Sequence, residues 1–204
     1  VTKCLQQAGG NLADWSKKQK PAKAPSNASA DVVVVGGGGA GLAAAIAAGQ
    51  QNKSVIIVEK NGEVGGDTLV CGAIYNTPDE ALQKKVTMGD AVKRTIETAL
   101  AEASKNGEHA ALQAQVRSQW NAYKSSGRTD LFDSKEWFAL QTWNGGDKVG
   151  NLNLVKVLCY NAYDGLGWID DLGMSFSDVI SQGAGSLWQR THTSTMKMGT
   201  GFIS

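Results

Sequence analysis

The stretch DVVVVGGGGAGL, from Asp31 to Leu42, predicts a strand, a glycine-rich turn and the start of a helix. Consecutive β-branched valines favour a buried parallel strand. Gly36, Gly38 and Gly41 follow the G-x-G-x-x-G spacing. In that pattern the first glycine permits a tight turn, the second lets the backbone approach a pyrophosphate, and the third lets the helix pack against the strand. A helix from about Gly39 to Ala48 would direct its N-terminal amides and positive dipole end at the phosphates.

A second predicted strand, from Ser54 to Val58, ends at Glu59. Glu59 follows Gly41 at about the spacing at which an acidic residue accepts hydrogen bonds from a ribose, and an acid there argues against NADP. Strand, glycine turn, alanine-rich helix, strand and terminal acid together predict a βαβ dinucleotide-binding unit. In the alternative reading, the glycines serve only the packing of a doubly wound fold.

The composition narrows the class of protein. The 204 residues carry a formal net charge of +1, which gives no global electrostatic attraction for nucleic acid or an anionic membrane. The three cysteines show no C-x-x-C pairing, and the two histidines, His109 and His192, argue against a histidine-based metal site. Cys159 is predicted to be a core residue, and Cys71 is predicted to have a packing role rather than to be a reactive thiol.

The chain divides by composition into three parts. Residues 1–11 are interpreted as the end of a preceding module, residues 12–30 as a lysine-rich linker, and residues 31–204 as the N-terminal part of a larger cofactor-binding domain. A helical segment spans residues 78–149, and Thr77 to Glu80 reads as a capping box with proline at the first helical position. The tail after Met174 shows no strand pattern and is expected to be either a wall of the site or an irregular end.

Apolar side chains at helical spacing predict the helices and their buried faces. Three stripes are expected to be core, namely Val92, Ile96 and Leu100; Leu112, Val116 and Trp120; and Trp137, Leu140 and Trp143. A last helix, from about Asn153 to Gly173, is expected to bury Leu154, Leu158, Leu166, Ile169 and Leu172.

Four sequence features resemble one flavoprotein family. They are the glycine fingerprint, Val58-Glu59-Lys60, Gly65-Gly66-Asp67-Thr68 and the helix end Trp168 to Gly173. From about residue 31 to 201 the chain resembles the fumarate reductase and succinate dehydrogenase flavoprotein superfamily, particularly its soluble flavocytochrome c fumarate reductase and urocanate reductase branch. The resemblance implies an α/β fold: a Rossmann-like FAD-binding βαβ unit with a largely helical insertion, its sheet incomplete in this chain.

The resemblance also implies FAD as cofactor and a set of site residues. Glu59 would take the ribose, Ala40 and Gly41 would lie against the pyrophosphate, and the backbone at Gly72 and Ala73 would lie beside the isoalloxazine and the substrate carboxylate. The cofactor-binding residues implied are Gly36, Gly38, Gly39, Ala40, Gly41, Glu59, Lys60, Gly65, Gly66, Asp67, Thr68, Gly72 and Ala73.

This sequence departs from the family pattern at two places. Ala73-Ile74 stands where the family often has Gly-Gly, and the segment from Thr191 to Lys197 stands where it often has Ser-His-Arg-Pro-x-Gly-Gly. The substrate is therefore left open. The catalytic arginine is expected outside this chain, while Arg190 or His192 would either line the pocket or make local hydrogen bonds, the latter being favoured.

By resemblance, the function is hydride transfer from flavin N5 to a C=C bond conjugated to a carboxylate. The implied partners are an unsaturated carboxylate, the remainder of the same polypeptide and an electron donor protein or module, such as an FMN-binding module before residue 12. Two alternatives stay open. One is a flavin-dependent dehydrogenase or oxidase of the 3-ketosteroid dehydrogenase or aspartate oxidase type, and the other is a non-catalytic nucleotide-binding module.

Overall fold

A computed structural model of the chain describes residues 27–196 together with residues 199 and 202. The described residues form two compact units, with the boundary between Cys71 and Gly72. Some predictions fall on segments outside the described residues. They concern the FMN-binding module, most of the linker, Cys4 and Lys197.

The first unit is built on two parallel strands with a helix between them in sequence. Strand β1 spans Val32–Val35, helix α1 spans Gly39–Gln50, strand β2 spans Val55–Val58 and the short helix α2 spans Gly66–Leu69. Val32 pairs with Val55 and the register continues to Val35 opposite Val58. The predicted strand, turn, helix and parallel strand are therefore confirmed, with α1 ending two residues later than expected.

The prediction that β1 is a buried strand is wrong, because two of its four valines are exposed and the other two are only half-buried. Val33 and Val35 are 55% and 85% exposed within the described residues. Alternate side chains of a strand point to opposite faces, and Val34 is the valine whose methyl group lies near the Cα of Gly41 in α1. Helix α1 therefore covers one face of the strand pair and leaves the other face apolar and exposed.

The second unit contains five helices within the described residues. They are α3 (Glu80–Gln83), α4 (Asp90–Ala101), α5 (Gly107–Ser125), α6 (Lys135–Gly145) and α7 (Leu152–Asp171). The predicted stripes of α5 and α6 are buried, as are Ile96 and Leu100 of α4, while Val92 is partly buried against the same core. Cys159 is also buried in this core, as predicted.

Side-chain caps explain where most of these helices begin. Asn106, Ser134 and Asn151 each accept a hydrogen bond from a backbone amide of the first turn that follows. The predicted cap at Thr77 is wrong, because Asp79 is the residue whose carboxylate accepts from the Leu82 amide, at 3.0 Å.

The predicted buried face of α7 is only partly correct. Leu166 is buried, but Leu154 and Leu158 are more than 60% exposed and Leu172 is 48% exposed. The helix instead buries Leu152, Cys159, Ala162 and Leu166. Apolar side chains lie on more than one face of α7. The sequence of the helix therefore does not show which of these faces packs on α6.

A small antiparallel sheet completes the second unit and corrects the expectation of a strandless tail. Strands β3 (Ile74–Asn76) and β4 (Phe176–Ser181) both pair with the central strand β5 (Thr191–Ser194). Strand β5 has the sequence THTS and β4 is interrupted by a register shift. Neither strand has a regular apolar alternation, so pairing rather than local sequence defines them.

The fold class is therefore mixed helix and strand, with two small sheets in the part of the chain that the structure describes. Within the described part of the chain, no helix combines the length and apolar character needed to cross a bilayer.

Candidate cofactor-binding site

The glycine turn after β1 begins the candidate site. The amide of Gly36 donates to the Val58 carbonyl at 2.8 Å, which extends the pairing of the two strands by one residue. Gly36 then turns the chain with a φ of +99°, a conformation that side chains with a Cβ rarely adopt. Helix α1 begins three residues later, directly after the carboxyl end of the strand.

Gly41 brings the helix close to the turn. A Cβ added there would lie 1.9 Å from the carbonyl oxygen of Gly36 and 3.2 Å from a methyl carbon of Val34. In contrast, a Cβ on Gly38 would meet nothing within 4 Å. Helix–strand packing thus requires a glycine at position 41. At Gly38, in contrast, the space beside the start of the helix is open.

Glu59 holds the turn from the end of the second strand. One carboxylate oxygen accepts from the Gly37 amide at 2.7 Å, and the other accepts from the Asn61 amide at 2.8 Å. These amides of Asn61 and Gly37 lower the pKa of the Glu59 carboxyl, so the side chain is ionised at neutral pH. An ionised carboxylate at this position accepts hydrogen bonds and suits the hydroxyl groups of a ribose.

The loop from Gly65 to Thr68 lies against the same turn. The Gly65 amide donates to the Gly37 carbonyl at 2.7 Å, and Gly38 and Gly65 form an isolated parallel bridge. The Gly39 amide donates to the Thr68 hydroxyl at 3.2 Å. Of the predicted site residues of the first unit, the glycine turn, Glu59, Gly65 and Thr68 are therefore brought together by direct contacts.

The remaining predicted residues of the first unit follow from these in sequence. Ala40 lies in the first turn of α1, and Lys60 is the exposed residue after Glu59. Gly66 and Asp67 lie in the first turn of α2, where Gly66 has a φ of +52°. No structural contact assigns any of these side chains to a ligand, and their roles stay predictions.

The start of α1 meets the requirements of a phosphate-binding turn. Helix α1 has no acidic residue in its first turn, and Gly38 makes no side-chain cap there. The first amides of a helix carry a partial positive charge and need acceptors. An anionic oxygen supplies that acceptor, and the open space at Gly38 allows close approach. The residues present therefore fit a dinucleotide pyrophosphate.

Gly72 and Ala73, also predicted to bind the cofactor, belong to the second unit. Ala73 is buried, its carbonyl accepts from the Ser194 amide at 2.9 Å, and its φ is +54°. This left-handed conformation favours glycine and is sparsely populated by alanine.

Arg190 and His192 are both buried and engaged locally. The Arg190 guanidinium donates to both Asp133 carboxylate oxygens at 2.8 Å and to Gln141 Oε1 at 2.6 Å. Burial raises the pKa of the Asp133 carboxyl to about 6, although the Arg190 charge opposes that shift. Burial also lowers the pKa of His192, whose Nε2 lies 3.3 Å from the Thr77 carbonyl oxygen. The favoured reading, local hydrogen bonding, agrees with these contacts.

The sequence motif did not predict Gly37 as a site residue. Gly37 contributes both its amide and its carbonyl to the turn, to Glu59 and Gly65 respectively. A Cβ at this position would lie 2.8 Å from a methyl group of Val64. The G-x-G-x-x-G pattern allows any residue at this position. The run of four consecutive glycines is the sequence feature that indicates a special role for Gly37.

Three comparisons with known proteins support the same interpretation. Residues 31–125 match the FAD binding domain family. The chain is 31% identical over 221 aligned residues to the NADH:acrylate oxidoreductase of Vibrio harveyi, which covers 100% of this chain and 22% of the relative. It is 29% identical over 172 residues to the urocanate reductase of Eggerthella lenta, covering 83% of this chain and 21% of that relative.

The fold also resembles a solved structure, the open conformation of a flavocytochrome c3 fumarate reductase. The TM-score is 0.55 at 22% identity, over 99% of this chain and 26% of the other. These findings confirm the flavoprotein resemblance inferred from the motifs and confirm FAD as the cofactor. The chain spans about a fifth of the length of the curated relatives it matches.

Proposed function

We propose that this chain is the FAD-binding portion of a flavin-dependent oxidoreductase that reduces the C=C bond of an unsaturated carboxylic acid. The bound flavin would supply a hydride from its N5 atom. The observation that carries the proposal is the glycine turn held by Glu59 and Thr68 at the start of α1, in a chain similar to an acrylate oxidoreductase and a urocanate reductase.

In this proposal the first unit binds the ADP half of FAD. The amides of Gly38, Ala40 and Gly41 would take the pyrophosphate, since the other amides of the turn already donate within the protein. Glu59 accepts from the ribose hydroxyls while its contacts with the Gly37 and Asn61 amides keep it ionised. The loop from Gly65 to Thr68, with Lys60 nearby in sequence, continues along the phosphates toward the ring.

The second unit would contribute backbone rather than catalytic side chains. Gly72 and Ala73 would lie beside the isoalloxazine and the substrate carboxylate, for which backbone N–H groups are suitable donors. Arg190 is committed to Asp133 and Gln141, so it is not the proton donor in this proposal. The catalytic acid and most of the carboxylate clamp would come from other parts of the polypeptide.

The proposed partners are a small unsaturated carboxylate and an electron donor protein or module. An FMN-binding module before residue 12 would be one such donor, positioned by the linker at residues 12–30. Electrons would then pass from the donor to FAD and on to the unsaturated acid.

The test uses the full-length protein, purified and analysed for released FAD after denaturation. The flavin is reduced without oxygen and mixed with acrylate, urocanate or fumarate, and its absorbance is followed. Fast reoxidation by one of these acids, but not by its saturated counterpart, supports the proposal. Reoxidation by oxygen alone would favour the oxidase alternative, and a protein without flavin would contradict both.

A further inference from the structure

Ala73 has a backbone conformation that its own residue type does not favour. Its φ of +54° lies in the left-handed region, which residues with a Cβ populate sparsely. A residue keeps such a conformation only where the surrounding structure holds it there. Ala73 is buried and directly precedes strand β3. The contacts that fix β3 therefore also fix the backbone of Ala73.

Strand β5 holds both ends of β3. At one end, the Ser194 amide donates to the Ala73 carbonyl at 2.9 Å. At the other end, the Thr77 amide donates to the Arg190 carbonyl at 3.1 Å. Between these two contacts the strands pair in antiparallel register. The position of β5 therefore decides where the Ala73 backbone lies.

A charged side chain anchors the start of β5. The strand has the polar sequence THTS, although three of its four residues are buried. Directly before it, the side chain of Arg190 is only 4% exposed. Its Nε and Nη2 atoms each donate to one carboxylate oxygen of Asp133 at 2.8 Å. Nη2 also donates to Gln141 Oε1 at 2.6 Å.

All the side-chain partners of Arg190 named here belong to α6 or to its start. Asp133 directly precedes Ser134, the N-cap of α6, and Gln141 lies about two turns along the helix. The Arg190 guanidinium also lies over the Phe138 ring, with Cζ 4.4 Å from the ring centroid. Helix α6 is itself held in the apolar core by its buried stripe. Arg190 thus ties a polar strand to a firmly packed helix.

The chemistry of this tether favours a defined position. A guanidinium paired with both oxygens of a carboxylate fixes direction as well as distance. Apolar contacts are non-directional and would hold β5 less specifically. Replacing a buried ion pair by apolar residues of similar size often leaves stability unchanged. The distinctive contribution of the pair is therefore where it holds β5.

We propose that Arg190 is a positioning residue, which ties β5 to α6 through Asp133 and Gln141 and thereby holds the backbone of Ala73. The tether itself is independent of the reaction. Its consequence for catalysis rests on the proposed function, in which the Ala73 backbone lies beside the isoalloxazine and the substrate carboxylate. Arg190 acts there through the backbone of β5 and β3.

Hydrogen exchange in the full-length protein tests the tether without using activity. Asp133→Leu combined with Arg190→Met removes the tether and leaves neither charge unpaired. Leu112→Ala is the control, since Leu112 is fully buried on α5 and its truncation weakens the same unit through a core cavity. Amide exchange is followed by mass spectrometry in peptides covering residues 72–77 and 110–123.

The two variants should give opposite patterns of exchange. In the double variant, exchange should become faster by about tenfold or more in residues 72–77 and stay unchanged in residues 110–123. In Leu112→Ala, any acceleration should be at least as large in residues 110–123. Gln141→Met keeps the ion pair and should show the first pattern to a smaller extent, and this variant decides the test if the double variant does not fold. Wild-type exchange in residues 72–77 of the folded variants overturns the proposal.

Flavin reoxidation tests the consequence for the site. At full FAD occupancy, the double variant should be reoxidised about tenfold more slowly or worse by the acid that the wild type reduces, because a misplacement of about 1 Å costs up to about a hundredfold in rate. Its Kd for FAD should stay unchanged. Leu112→Ala, measured well below its unfolding temperature, should keep the wild-type rate.

The two measurements separate this proposal from the proposed function. An unchanged reoxidation rate in the double variant overturns the catalytic role of the tether. If the wild type binds no flavin, or if none of the unsaturated acids reoxidises it, the proposed function fails instead. The exchange comparison then still decides whether Arg190 holds the Ala73 backbone.

Discussion

Replacing Gly41 by alanine tests whether close helix–strand packing creates the cofactor-binding turn. The added Cβ would lie 1.9 Å from the Gly36 carbonyl oxygen and 3.0 Å from its carbonyl carbon. Both atoms belong to the backbone, so no side-chain rotation relieves the clash. Restoring ordinary van der Waals contact requires the start of α1 to move by about 1.5 Å.

The displacement has two consequences of predictable size. Overpacking of this kind costs about 1–3 kcal/mol of unfolding free energy. The same movement separates the first amides of α1 from the pyrophosphate they would bind. Since about 1.4 kcal/mol corresponds to a tenfold change in affinity, FAD binding should weaken by about tenfold or more.

Two glycines of the same region serve as matched controls. Gly49, in the last turn of α1, has nothing within 4 Å of an added Cβ, and Gly49→Ala should be neutral or stabilise the helix by up to ~1 kcal/mol. Gly38 is equally open and has a φ of −75°. Gly38→Ala should therefore leave apoprotein stability unchanged and weaken FAD binding alone.

The assay combines urea unfolding of the apoprotein with a fluorescence titration of FAD. The expected pattern is loss of both stability and affinity for Gly41→Ala, loss of affinity only for Gly38→Ala, and loss of neither for Gly49→Ala. The reasoning is refuted if Gly41→Ala unfolds at the same urea concentration as Gly49→Ala and binds FAD equally well.

Three further predictions concern other contacts of the two units. Glu59→Gln should weaken FAD binding by about tenfold. Because the folded-state pKa of Glu59 is lowered, its stabilising contribution is present above the ordinary carboxyl pKa and is lost as pH falls through the lowered value. The unfolding free energies of the wild type and the variant should therefore converge in acid, and a constant difference at every pH would contradict this reasoning. Thr68→Val removes the hydroxyl that accepts from Gly39 and should lower the unfolding free energy by about 1 kcal/mol, whereas Thr68→Ser should preserve it; equal losses in both variants would exclude the hydrogen bond as the cause. Asp133→Asn leaves the Arg190 charge buried without its carboxylate and should lower the unfolding free energy by about 3–5 kcal/mol. Asp133→Leu combined with Arg190→Met should lower it by less. If urea unfolding showed a larger loss in the double variant, the ion pair would itself be stabilising, contrary to this expectation.

The local sequence determined the part of the site whose contacts lie close along the chain. The valine run, the glycine spacing and Glu59 predicted β1, α1, β2 and the phosphate-binding turn, because each feature encodes a backbone requirement of its own. Gly36 needs a positive φ and Gly41 a missing Cβ, and both requirements can be read from residue type alone. The helix starts at Asn106 and Ser134 are local in the same sense.

Only the tertiary structure decided which residues meet across long separations. Strand β5 exists because it pairs with β3, far away in sequence, as well as with the preceding strand β4, and its residues carry no strand pattern of their own. The buried face of α7 depends on α6, so Leu154 and Leu158 are exposed although their spacing is helical and apolar. Likewise, the helical spacing predicts Trp137 as a core position, and only the packing around it leaves Trp137 Nε1 buried without a hydrogen-bond partner among the described residues. Packing partners, rather than local propensity, set these features, because burial is a property of two surfaces and not of one.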